Sequence, residues 1–252
     1  MSRTYIRFTP RQRLEHAAMM TVFTLLVVTG LPQKFFEASL SVWILDLLGG
    51  VDRARWIHRA CGLAFTGLAL LHVGWVLSDV LRGRAGLAMV PTRKDFTDAV
   101  VTLRFYLGVS NEQTRFDRFD YRQKFEYWGL ILGSVVVILT GLILLWPVTV
   151  ATYLPGEVIP AAKVAHSNEG LLAFLTIAVW HIYNAHFNPD VFPFDTTIFT
   201  GRISEERMHH EHPLELERIL HGPGGTHGTP GAPHDLEPGA PPAPGNGGDR
   251  RA

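Results

Sequence analysis

The sequence predicts an all-α membrane protein built as a four-transmembrane-helix bundle, and three observations predict it. Hydrophobic residues make up 47% of the 252, and they are gathered into blocks close to the ~20 residues that a helix needs to cross a bilayer. Those blocks lack the period-two alternation of membrane strands. Lysine and arginine are shared unevenly among the intervening loops, in the manner of the positive-inside rule.

The first span covers about residues 14–31 (LEHAAMMTVFTLLVVTGL), the second about 56–81, the third about 127–148 and the fourth about 166–187. Ahead of the first lie Arg3, Arg7, Arg11 and Arg13, with no acidic residue before Glu15. No small-residue cleavage site follows, so this stretch reads as the flank of a retained helix and not as a signal peptide. Between spans two and three lie Arg82, Arg84, Arg93, Lys94, Arg104, Arg115, Arg118, Arg122 and Lys124. The opposite loops hold Lys34, Arg53 and Arg55 in one and Lys163 in the other. Both termini are therefore expected in the cytoplasm, N-in/C-in. The stretch PTRKDFTDAVVTLRFYLGV is expected as a cytoplasmic interfacial helix, and SVWILDLLGG (41–50) as a short amphipathic segment on the outer face. Residues 1–220 form one transmembrane domain in this reading. Residues 221–252, dominated by Gly and Pro, are expected as a disordered tail.

Composition excludes several functions. The formal net charge is zero, which argues against a nucleic-acid partner, since that would show as a basic excess. Cys61 is the sole cysteine. An intramolecular disulfide, a cysteine-ligated iron–sulfur cluster and a Cys-x-x-Cys-His haem attachment are all ruled out.

The histidines carry the chemistry. His16 lies near the start of span one, His58 and His72 lie fourteen residues apart in span two, and His166 and His181 lie fifteen apart in span four. On an α-helix, fourteen residues leave two side chains roughly 40° apart in azimuth and ~21 Å apart along the axis, and fifteen leave roughly 60° and ~22 Å. Spans two and four run in the same direction, so His58 and His166 share an outer level, while His72 and His181 share an inner level that His16 also reaches. Two layers of facing imidazoles are what two stacked, non-covalent, bis-histidine b-type haems require. Gly62, Gly67, Gly74 and Gly170 would let a flat macrocycle lie near a helix backbone. The competing reading is a proton- or metal-ion transporter with histidine relays. It is weakened because the spans hold little carboxylate beyond Glu15, Asp79 and Glu169. His186, next to Asn188 and Pro189, reads as interfacial. His209, His210 and His212 read as a solvated helix start in MHHEHPLE, and His221, His227 and His234 as part of the tail.

These residues resemble the di-haem cytochrome b subunits of the formate dehydrogenase gamma and nickel–iron hydrogenase cytochrome b superfamily, which is bacterial cytochrome b561-like. The resemblance is carried by RQRLEH and TGLP in span one, WIHRACG in span two, His166-x14-HIYNAHFNP in span four, and the closing TGRISEERMHHEHPLELERI. It implies that His58 and His166 hold an outer haem and that His16 and His181 hold an inner one. His72 has no place in that ligand set and stays open as an alternative partner for His181. The fifteen-residue step in span four is one longer than the family's. The resemblance further implies an electron-transfer subunit of the bacterial inner membrane with no catalytic centre of its own. It would link a periplasmic redox subunit (an iron–sulfur/molybdenum enzyme, a hydrogenase or a multihaem cytochrome c) to the quinone pool. Lys124, Glu126 and Asn184 are candidates for a quinone site near the inner haem, and Arg13 and Arg59 for haem propionates.

Overall fold

A computed structural model describes residues 3–83, 87–189 and 191–221. Among them, four helices are long and apolar enough to cross a membrane. The first, α1, runs from Pro10 to Lys34. Its start is a reciprocal cap, in which Thr9 Oγ1 accepts from the Gln12 N–H (3.3 Å) and Gln12 Oε1 accepts from the Thr9 N–H (2.9 Å). A short helix α2 (Ser39–Leu47) follows where the amphipathic segment was expected. The reversal into α3 (Val51–Leu81) passes through Gly49 and Gly50 at φ +86° and +98°, backbone that glycine alone adopts freely. Helix α4 (Arg93–Tyr106) occupies the stretch expected as an interfacial helix, and Asp95 on it accepts from Lys124 Nζ at 2.8 Å.

Helix α5 (Tyr121–Leu145) opens on the same kind of cap, Asp120 with Gln123. It ends three residues before the expected 148, because the chain leaves helical geometry at Trp146 ahead of Pro147, which begins α6 (Pro147–Ala151). The fourth span begins as α7 (Val158–Leu175) and continues in π-helical geometry over Thr176–His181 and Tyr183–Phe187. All four spans begin earlier than the sequence placed them; in α1, α3 and α5 the first turn is polar and carries no hydropathy signal, whereas α7 opens on the apolar Val158-Ile159-Pro160-Ala161.

Packing divides the bundle into two tight pairs, α1 with α3 and α5 with α7, which meet each other only sparsely. Lys34 Nζ ties the pairs at one end by donating to Ser167 Oγ (3.1 Å) and Asn168 Oδ1 (2.7 Å) on α7. Between the pairs lies a cavity of about 3130 Å³ that runs much of the bundle's length. The bundle therefore encloses space where a soluble domain would have a core.

The buried apolar cluster lies elsewhere. Tyr5, Ile203, Met208 and Leu216 form it in a cap at the end where α1 begins. There β1 (Thr4–Ile6) pairs antiparallel with β2 (Arg202–Ser204), with Tyr5 opposite Ile203. Helices α8 (Thr197–Thr200), α9 (Glu205–Glu211) and α10 (Pro213–His221) complete it. This two-stranded sheet is an addition to the expected all-α fold, and the flank of the first span contributes one of its strands. Arg7 is buried and pairs with Glu215 at 2.6 Å, and Arg118 meets the same carboxylate at 2.7 Å. His212, expected in solvent, is buried, and its Nδ1–H donates to the Asp117 carbonyl at 2.8 Å. Burial, reinforced by the charges of Arg7 and Arg118, holds its pKa down to about 3. His227, His234 and nearly all of the expected tail lie outside the described residues.

Candidate functional site

Two pairs of imidazoles face each other across the cavity. Away from the cap, His58 on α3 and His166 on α7 bring their ring centroids to 6.1 Å at an interplanar angle of 83°. Toward the capped end, His16 on α1 and His181 on the π-helical stretch stand at 6.2 Å and 37°. Each pair joins the α1/α3 half of the bundle to the α5/α7 half.

The far pair is held by a repeated device. Thr29 Oγ1 donates to the Leu25 carbonyl (2.7 Å), so its remaining capacity is to accept from His58 Nδ1 at 2.9 Å. On the other side, Thr140 Oγ1 donates to the Val136 carbonyl (2.6 Å). His166 Nδ1 stands 3.2 Å from that oxygen and 3.0 Å from the Val137 carbonyl, which can only accept. Both Nδ1 atoms therefore carry the proton, and both Nε2 atoms keep a free lone pair. A glycine follows each threonine. A Cβ on Gly30 would stand 2.9 Å from His58 Cε1, and one on Gly141 would stand 3.1 Å from His166 Cε1. The sequence analysis did not anticipate the roles of these four residues: Thr29 and Gly30 entered it only within TGLP, and the triplet TGL occurs in three spans (29–31, 66–68 and 140–142), so it does not by itself mark the two places where a glycine makes room for a histidine.

Toward the cap, Glu126 on α5 pairs with His181 Nδ1, which again leaves Nε2 free. Glu126, considered above as a quinone contact, thus orients a histidine. His72 stands apart from this pair: its Nε2 lies 3.0 Å from the Tyr127 hydroxyl and its Nδ1 3.4 Å from Glu15 Oε2. The other candidates divide. Arg13 turns to the cap and donates to the Phe199 carbonyl, whereas Arg59 lines the cavity. Lys124 is buried against Asp95, and Asn184 donates to the Trp180 carbonyl (2.8 Å) within its own helix while lining the cavity. Gly62 and Gly170 border the cavity, and a Cβ on either would meet open space.

The residues fit an axially ligated haem. Two imidazoles on opposite sides of one metal, each nitrogen ~2 Å from it, place their ring centres ~6 Å apart. Both observed separations match this. The Nδ1 contacts of His58, His166 and His181 leave their Nε2 atoms available to a metal, and the cavity exceeds the ~300–1,000 Å³ of an ordinary single-ligand pocket several-fold.

Four membrane spans around a cavity bridged by facing imidazoles define a helical-bundle cytochrome framework. The chain belongs to the prokaryotic cytochrome b561 family, whose profile matches residues 7–192. It is similar to the cytochrome b556 subunit of formate dehydrogenase from Haemophilus influenzae, with 27% identity over 71% of this chain and 70% of that protein. It is also similar to the cytochrome b556 subunit of the nitrate-inducible formate dehydrogenase from Escherichia coli, with 23% identity over 68% and 72% of the two chains. It is a multi-pass membrane cytochrome b, and its chemistry is haem-based electron transfer.

Proposed function

We propose that this chain is a di-haem electron conduit between a redox enzyme on the outer side of the bacterial inner membrane and the quinone pool. The observation that supports it most directly is the pair of imidazole clamps at opposite ends of one cavity, at 6.1 and 6.2 Å. His58 and His166 hold the outer haem, and His16 and His181 the inner one. His166 and His181, fifteen residues apart on the fourth span, lie ~22 Å apart along a helical axis, which sets the haems in separate leaflets. The cap lies in the cytoplasm in this reading, in keeping with the basic residues gathered at that end. A formate-dehydrogenase-like partner is favoured by the names of the relatives, and a quinone by the need for a lipid-soluble acceptor or donor beside the inner clamp.

When bound, the haems supply one-electron chemistry. The chain's own residues fix where that chemistry happens. Thr29, Val137 and Thr140 hold the outer imidazoles in one tautomer, and Glu126 holds His181. The Tyr127–His72–Glu15 set keeps His72 away from the inner clamp. Arg59, on the cavity wall, is placed to meet a propionate.

Haem quantitation on the purified chain tests this. The expected result is about two haems b per chain, one lost in H58A or H166A, the other lost in H16A or H181A, and both kept in H72F. A single haem in the wild type, or loss of a haem in H72F, sinks the assignment.

A further inference from the structure

His186, expected from the sequence at the membrane interface, also lines the cavity. It lies in the π-helical stretch Tyr183–Phe187, five residues after His181. On an α-helix a five-residue step turns a side chain roughly 140° away, but i→i+5 bonding closes a wider turn that brings such residues nearly into line. His186 therefore follows His181 along one face and lines the same cavity. Its ring is stacked on Phe194, with centroids 4.0 Å apart and planes within 1°, and Phe194 stacks in turn on Phe199. The plane of the imidazole is thereby set.

Its Nδ1 is buried and, among the described residues, has no hydrogen-bond partner. The large majority of buried side-chain polar atoms are paired, so an unpaired nitrogen on a stacked ring points to a partner that the chain itself does not supply. The cavity that His186 lines is walled mainly by apolar side chains, with His16, Glu126, Asn184 and Asp195 among its polar ones, a lining that suits a flat amphipathic ring. π-Helical turns are concentrated at functional sites for such reasons.

We propose that His186 binds the head group of the quinone beside the inner clamp. Nδ1 would hydrogen-bond one ring oxygen, donating to the carbonyl of the oxidised form or accepting from the hydroxyl of the reduced form. This rests on the quinone-linked function proposed above. The experiment uses the purified full chain with both haems and menadiol as the reductant, following haem reduction by stopped flow across a range of menadiol concentrations.

In H186F, which preserves the stack on Phe194, the half-saturating concentration should rise at least tenfold with haem content and spectrum unchanged. H186N, whose side-chain amide reaches the position of Nδ1, should recover most of the loss. An unchanged half-saturation in H186F overturns the proposal, and so does loss of the inner haem in that variant, which would assign His186 to the haem. If menadiol fails to reduce the wild type while dithionite reduces both haems, the quinone reading itself falls and takes this inference with it.

Discussion

A methyl group decides whether His58 can stand where it does. Gly30 leaves room on α1 for that imidazole, since a Cβ there would lie 2.9 Å from Cε1. The ring cannot yield easily, because Thr29 holds its Nδ1 from the same helix. G30A is therefore expected to displace His58 and remove the haem far from the cap, leaving the other in place. Haem content and the reduced spectrum of the purified variant check this. G67A is the matching control, since a Cβ at Gly67 meets no atom within 4 Å and the residue does not line the cavity. Loss of both haems in G30A would point to general unfolding instead.

At the scale of the element, the fourth span resolves the fifteen-residue step between His166 and His181. An uninterrupted α-helix would carry that extra residue as ~100° of added rotation. The π-helical stretch Thr176–His181 absorbs it by widening one turn. The cost is weaker local packing and bonding, and the return is a histidine aimed at His16. Deleting Ile177 should let this stretch revert to regular α-helix and keep both haems, with the inner spectrum little changed. Deleting Ile177 and Ala178 together overshoots by one residue and should abolish the inner haem alone. Equal tolerance of both deletions would mean that the π turn does not set the register.

At the scale of the whole molecule, the bundle is held open around its cofactor space and closed by the cap. Glu215 there faces two guanidiniums, Arg7 at 2.6 Å and Arg118 at 2.7 Å, with little solvent to screen them. E215A would leave the buried Arg7 and the half-buried Arg118 without their shared carboxylate, at an expected cost of about 3–5 kcal/mol to the cap. Cap stability also depends on pH through His212. Its folded pKa of about 3 lies below the ~6.5 of an unfolded histidine, so the unfolded segment binds the proton first. The contribution is complete above pH ~6.5 and is lost as pH falls toward 3. Amide hydrogen exchange at β1 and β2 should accelerate between pH 7 and 5 after correction for the intrinsic rate, and more weakly in H212N. A pH-independent protection factor would refute this.

The four spans, the five histidines within them and the cytochrome class are legible in the sequence. Hydropathy blocks and helical spacing are local properties that survive without knowledge of neighbours. The caps at Thr9 and Asp120 are local in the same sense. What the tertiary structure alone decided is phase and long-range pairing. Azimuth accumulates along a helix, so the two π-helical stretches in the fourth span change which way His181 and His186 face. Between His16 and His72, sequence spacing left the inner level open. The fold brings His16 to 6.2 Å from His181 and gives His72 to Tyr127 and Glu15. The cap was invisible for a different reason: Tyr5 and Ile203 pair across nearly the whole chain, and neither short strand carries a pattern of its own. Gly30 and Gly141 show the same limit, since their value lies in what they leave room for on another helix.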